Sequence, residues 1–76
     1  MSSNRRKFNP KEFAERIKDL RLERGLSIRD MEEYGFSKSA FSAWETCTNI
    51  PSAEAIFDIS EFLGVSADYL LGLKDS

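Results

Sequence analysis

The chain has 76 residues, enough for one domain with a small core. Hydrophobic residues make up 41% and charged residues 32%, which excludes a disordered tail, and the apolar runs fall far short of the roughly 20 residues that cross a bilayer. The net charge of −2 runs against a nucleic-acid partner, but it is uneven: residues 1–24 hold eight Lys/Arg and four Asp/Glu, and residues 25–76 hold three and nine.

Residues 1–8 read as a basic arm, in which Arg5-Arg6-Lys7 either tracks phosphate and enters a minor groove or remains a solvated tail. Asn9-Pro10-Lys11-Glu12 then opens a helix, with Asn as cap, Pro at the first helical position and Glu at the third. Phe13, Ile17 and Leu20, joined by Ala14 and Leu22, recur at helical spacing until Gly25, which sets a first helix over 10–24. Ser27, with Asp30 three residues on, caps a short second helix over 28–34, whose stripe of Ile28, Met31 and Tyr34 is ended by Gly35. Ser37 caps a third helix over 38–46, with Phe41 and Trp44 turned inward. The spacing of Phe36, Phe41 and Trp44 with Ile28, Met31 and Ile56 favours a core over a base-stacking platform.

Pro51 disfavours helix before it, so Thr48-Asn49-Ile50 is loop. Ser52 caps a fourth helix over 53–63, facing inward with Ala55, Ile56, Ile59, Phe62 and Leu63. Ser66 caps a fifth from Ala67 to Leu71, ended by Gly72. The pattern predicts an all-α domain of five short helices over 9–73, no strand, and a tail at 74–76. Only Gly35 and Phe36 separate the second helix from the cap of the third. Helices joined that tightly cross at a large angle, the geometry of a helix-turn-helix whose second helix projects from the surface.

The chemistry of the third helix is compatible with nucleic acid. Lys38 in its first turn can donate to guanine O6/N7 or to phosphate, and the hydroxyls of Ser39 and Ser42 can serve either. The starts of the second, third and fourth helices, at Ser27, Ser37 and Ser52, offer backbone N–H groups to phosphate. Enzyme chemistry has no support: the chain has no His, no Gly-rich phosphate loop and no Cys/His metal set, so neither cofactor nor metal is expected. The single cysteine, Cys47, excludes an internal disulfide and lacks the context of a nucleophile. With no secretory apolar stretch after the basic start, the expected location is cytoplasmic.

Four ordered pieces, FAERIKDLRLERGLS (13–27), FSKSAFSAWE (36–45), IPSAEAIFDISEFLGVS (50–66) and ADYLLG (67–72), resemble the helix-turn-helix domains of the phage repressor and Cro type, the XRE family. The resemblance implies a lambda-repressor-like fold, a third helix lying in the major groove, and symmetric dimers on half-sites about one DNA turn apart. It implies DNA-facing roles for Ser37 as cap of the recognition helix, for Lys38, Ser39, Ser42 and Ala43 on its outer side, and for Thr46, Thr48 and Asn49 in the following loop. It also implies that Arg21 bridges to Glu45, holding that helix and setting a guanidinium beside the DNA backbone.

Several positions depart from the family pattern. The turn YGFS is one residue short, Ile28 stands where relatives often carry Gln, Met31 or Glu32 where many keep a small residue, and Cys47 where Gly is common. Ala43 stands where stronger readers place Gln or Arg, so the reading surface is thin. The expected function is sequence-specific binding of a double-stranded DNA operator by a repressor-like regulator. A homodimer, at least on DNA, would form through Tyr69, Leu70, Leu71 and Leu73. The alternative is a protein-interaction module or antirepressor, for which the acids of the C-terminal two-thirds would bind a basic partner or mimic phosphate.

Overall fold

The computed structural model describes residues 7–75, so Arg5 and Arg6 of the expected arm lie outside the described residues. The elements in chain order are α1 (Pro10–Glu23), a 3₁₀ helix (Arg29–Tyr34), α2 (Lys38–Glu45), α3 (Ala53–Leu63) and α4 (Ala67–Leu71), with no strand among the described residues. The fold is the expected all-α helix-turn-helix architecture.

Each α-helix starts where a side chain can satisfy its first free N–H groups. Asn9 Oδ1 accepts from the amides of Lys11 at 3.0 Å and Glu12 at 3.2 Å. The hydroxyls of Ser37, Ser52 and Ser66 accept from Ala40 at 3.2 Å, Ala55 at 3.1 Å and Tyr69 at 3.0 Å. Such caps contribute about 1 kcal/mol each, a substantial share for a domain this small.

The second helix, expected over 28–34, is a 3₁₀ helix over Arg29–Tyr34, with Ile28 already at helical angles ahead of it. The physical reason lies in its stripe: Ile28, Met31 and Tyr34 are spaced by three, and in a helix of three residues per turn they fall into line. Met31 is fully buried, Ile28 half-buried, and Tyr34 is 51% exposed, its ring lying 4.7 Å from that of Phe62.

The core draws on every element: Phe13, Ala14 and Ile17 from α1, Met31, Phe41 from α2, Ile56, Ile59 and Leu63 from α3, and Leu70 from α4. Leu22, expected on the inward face, is instead 54% exposed, because the turn of α1 that would bury it carries Arg21 inward. Two further arginines tie α1 to the C-terminal half of the fold. Arg24 donates to the Leu63 carbonyl and, at 3.2 Å, to that of Leu20. Arg16 donates to the Tyr69 carbonyl, to Glu12 Oε2 at 3.0 Å, and to the Lys74 carbonyl at 3.0 Å, which holds the first residue of the expected tail against α1.

The end of α2 is strained. Thr48 N–H donates to the Ala43 carbonyl at 2.8 Å and Cys47 N–H to that of Trp44 at 3.3 Å, a termination that requires a left-handed residue between them. Cys47 is that residue, at φ 62°, and it is the only non-glycine with positive φ among the described residues. At the corresponding position after the 3₁₀ helix, Gly35 meets the same demand at φ 93° without strain. We expect Cys47→Gly to stabilise the domain by up to about 1 kcal/mol, the left-handed penalty of ~1–2 kcal/mol being partly offset by glycine's greater freedom in the unfolded chain. A urea midpoint that rises with an unchanged slope would agree; a fall would show that the exposed thiol makes a stabilising contact.

Candidate nucleic-acid interface

Helix α2 is anchored on one side and open on the other. Phe41 is fully buried, with the rings of Phe36 and Trp44 at 5.6 and 5.5 Å from its own. Lys38 and Ser39 are exposed, and Ser42 and Ala43 are half-buried on the intervening face. Ser37 and Ser39 share a hydrogen bond at 3.1 Å, so the cap and the first turn are fixed relative to each other.

Arg21 and Glu45 set the position of this helix. Arg21 Nε donates to Glu45 Oε2 at 2.7 Å and Nη2 to Oε1 at 2.9 Å, while Nη1 donates to the Leu26 carbonyl at 2.7 Å. One planar guanidinium thus joins α1, α2 and the segment leading into the 3₁₀ helix, with both side chains only 8% exposed. The hydrogen bond to Glu45, followed by its charge, holds the guanidinium above its ordinary pKa against the opposing effect of burial, so it stays ionised at any working pH. The bridge expected from family resemblance is present. Three of the five N–H groups of Arg21 are committed inside the fold, and with the side chain 8% exposed at most the two remaining ones could meet a DNA backbone.

Around α2 the other expected contact residues fall into two groups. Thr46, Thr48 and Asn49 are exposed at its end. Thr46 Oγ1 donates to the carbonyl of Ser42 at 3.0 Å and shares a hydrogen bond with Thr48 Oγ1 at 2.9 Å, so the loop presents a fixed pair of hydroxyls. Ser27 stands apart. Its N–H donates to Asp30 Oδ2 at 2.8 Å and its Oγ accepts from Asp30 N–H at 3.1 Å. Hydrogen bonding to Ser27, through the backbone first and then the side chain, holds the Asp30 carboxyl below the usual carboxylate range. That end of the 3₁₀ helix is therefore covered by a carboxylate, which sets Ser27 apart from the other expected phosphate contacts.

The structure brings in two cations that the sequence reading left unassigned. Lys11 and Lys18, with Glu15 between them, line a groove of about 600 Å³ between α1 and the end of α2, beside Glu45, Thr46 and Cys47. Their spacing of seven on one helix was a visible signal of a shared face, but nothing local pointed that face at α2. By contrast, Arg16, Arg21 and Arg24 are engaged within the fold, so much of the positive charge of the first 24 residues is structural. Leu70 is fully buried and closes the core, leaving Tyr69 and Leu71 half-buried and Leu73 exposed on the C-terminal face where a partner copy was expected.

Among the described residues no helix is long and apolar enough to cross a membrane. No solved structure matches the chain. The chain is similar to an uncharacterized HTH-type transcriptional regulator of Bacillus subtilis (strain 168), YqaE, at 33% identity over 60 residues, covering 78% of this chain and 52% of the relative. A second from the same organism, YobD, also named an uncharacterized HTH-type transcriptional regulator, is 28% identical over 64 residues, 83% of this chain and 57% of that one. The chain spans a little over half the length of these curated relatives. The family they exemplify is not an enzymatic one. A family model described as a helix-turn-helix domain matches residues 14–76, and with the fold and the anchored α2 already in place this chain belongs to the helix-turn-helix family of XRE type.

Proposed function

We propose that the chain binds double-stranded DNA and regulates transcription by occupying an operator, in the manner of a Cro protein or repressor, with α2 as the helix that enters the major groove. One observation carries this reading. The only acid of α2, Glu45, is neutralised by Arg21, which leaves Lys38 as the one unpaired charge on a helix whose outer side is otherwise Ser39, Ser42 and Ala43. A polyanion meets no repulsion there, and the named relatives are transcriptional regulators.

Lys38, Ser39 and Ser42 are the base-edge candidates, Ala43 offers a methyl contact to thymine, and the N–H groups behind Ser37 with Thr46, Thr48 and Asn49 address phosphate. Lys11 and Lys18 extend the phosphate track along α1 on either side of Glu15. Arg21 acts by holding α2 in register. Residues 9–73 form the binding domain, and a homodimer on DNA draws on Tyr69, Leu71 and Leu73. Two copies would multiply the modest discrimination of one.

Three outcomes test the reading. Lys38→Ala lowers operator affinity; in a binding assay against scrambled DNA, a loss confined to the operator marks a base contact and a uniform loss marks phosphate. Affinity falls steeply with salt, with a log–log slope near −4 to −5 if about five phosphates are contacted; a flat response removes DNA as the ligand. Arg21→Ala leaves Glu45 buried without a partner and costs about 3 kcal/mol in urea unfolding, whereas Arg21→Met with Glu45→Leu costs less. DNA affinity should drop in both variants once compared at temperatures where each is fully folded. Retained affinity would sever the brace from binding.

A further inference from the structure

A second surface has a different chemistry. Between Asp30 and Asp68 the chain carries eight acids and a single basic residue, Lys38. Part of that excess is gathered around an open groove of about 450 Å³ at the helix-turn-helix corner, walled by Tyr34, Phe36, Phe57 and Phe62 and rimmed by Asp58 and Glu61. Tyr34 and Phe57 are 51% and 63% exposed. Phe62 lies behind them, 4.7 Å from Tyr34 and 5.5 Å from Phe36 between ring centres, so the floor of the groove continues into the aromatic core. Neither Asp58 nor Glu61 has an ion-pair partner among the described residues.

We propose that this groove docks a segment of a partner protein that presents arginine among apolar side chains. Its walls and rim are complementary to such a segment in two respects. A guanidinium stacks on aromatic faces and forms paired hydrogen bonds with carboxylates, and both groups are present here within one depression. Apolar neighbours of the arginine cover Phe57 and Tyr34, the kind of aromatic surface that carries most binding energy in protein interfaces. The same carboxylates repel phosphate, so the groove does not suit a nucleic-acid backbone. The inference does not depend on the DNA reading.

The test titrates the intact chain with a short synthetic peptide in which arginines alternate with leucines, followed by amide chemical shifts. The expected result is saturable binding with shifts centred on residues 34–36 and 57–62. Affinity should fall at least tenfold in Phe57→Ser and in the Asp58→Lys, Glu61→Lys double variant, both altered only at exposed side chains and both keeping the parent chain's dispersed amide spectrum. Equal affinity of Phe57→Ser and the parent chain would reduce the effect to diffuse charge attraction and overturn the proposal. So would self-association in sedimentation that Phe57→Ser abolishes while the peptide fails to bind, since a second copy would then be the occupant.

Discussion

The placement of α2 depends on one buried ion pair. A helix of eight residues cannot hold itself in water, since nucleation alone outweighs the few hydrogen bonds it closes. Phe41 roots α2 in the core, but a single buried ring permits rotation and sliding. The Arg21–Glu45 fork removes both freedoms, because two parallel hydrogen bonds fix an angle as well as a distance. The third bond, to the Leu26 carbonyl, ties the same guanidinium to the entry of the 3₁₀ helix. Burying two charges is costly in itself, and a hydrophobic pair could match or exceed its stability. What the ion pair supplies is register, and it also neutralises the only carboxylate of α2.

The same economy of charge runs through the rest of the fold. Arg16 lies 4.3 Å from the Tyr69 ring centre and reaches two backbone carbonyls near the C-terminus, while Arg24 closes the end of α3. Gly72 fits against this arrangement, since a Cβ there would meet Glu12 Oε1 at 2.6 Å. Arginine is suited to such work because its planar fork bonds several acceptors with little further loss of freedom. The lysines, lacking that geometry, remain outside: Lys11, Lys18 and Lys38 are all exposed. Arg16, Arg21 and Arg24 are thus structural cations, while Arg29 and these lysines are exposed.

Much of this fold was legible in the sequence because its helix boundaries are written in local chemistry. Asn9-Pro10, Ser37, Ser52 and Ser66 announce starts, and Gly25, Gly35, Gly64 and Gly72 announce stops, within one or two residues of where the helices begin and end. The 3₁₀ character of residues 29–34 was not legible, since a spacing of three is shared by both helix types and only the short turn hinted at the tighter one. The exposure of Leu22 and Tyr34 depended on which neighbours arrived from elsewhere. The arginine staples were hidden for the same reason: their acceptors are backbone carbonyls as many as 58 residues away, and a carbonyl leaves no mark in a sequence. For the site, Lys38, Ser39 and the α2 cap could be read directly, whereas the covering of Ser27 by Asp30 could be read only by following the capping box to its consequence.

A reading surface of one lysine, two serines and an alanine constrains how binding energy divides. A good bidentate base contact discriminates by ~1–3 kcal/mol, and Lys38 is the only side chain of α2 long enough to offer much of that. Serine hydroxyls both donate and accept, so they tolerate several bases. If the domain binds DNA as proposed, its affinity rests on phosphate contacts, for which the candidates are the helix N-terminus behind Ser37, the fixed hydroxyls of Thr46 and Thr48, and the α1 lysines. Phosphate contacts carry little sequence information, so one copy bound to DNA is tight before it is selective. On the proposed homodimer, selectivity comes from geometry, through two copies whose separation matches the helical repeat. In that light the rigidity of the Arg21–Glu45 brace acquires its importance: a spacing can be measured only by a helix that does not move within its own domain.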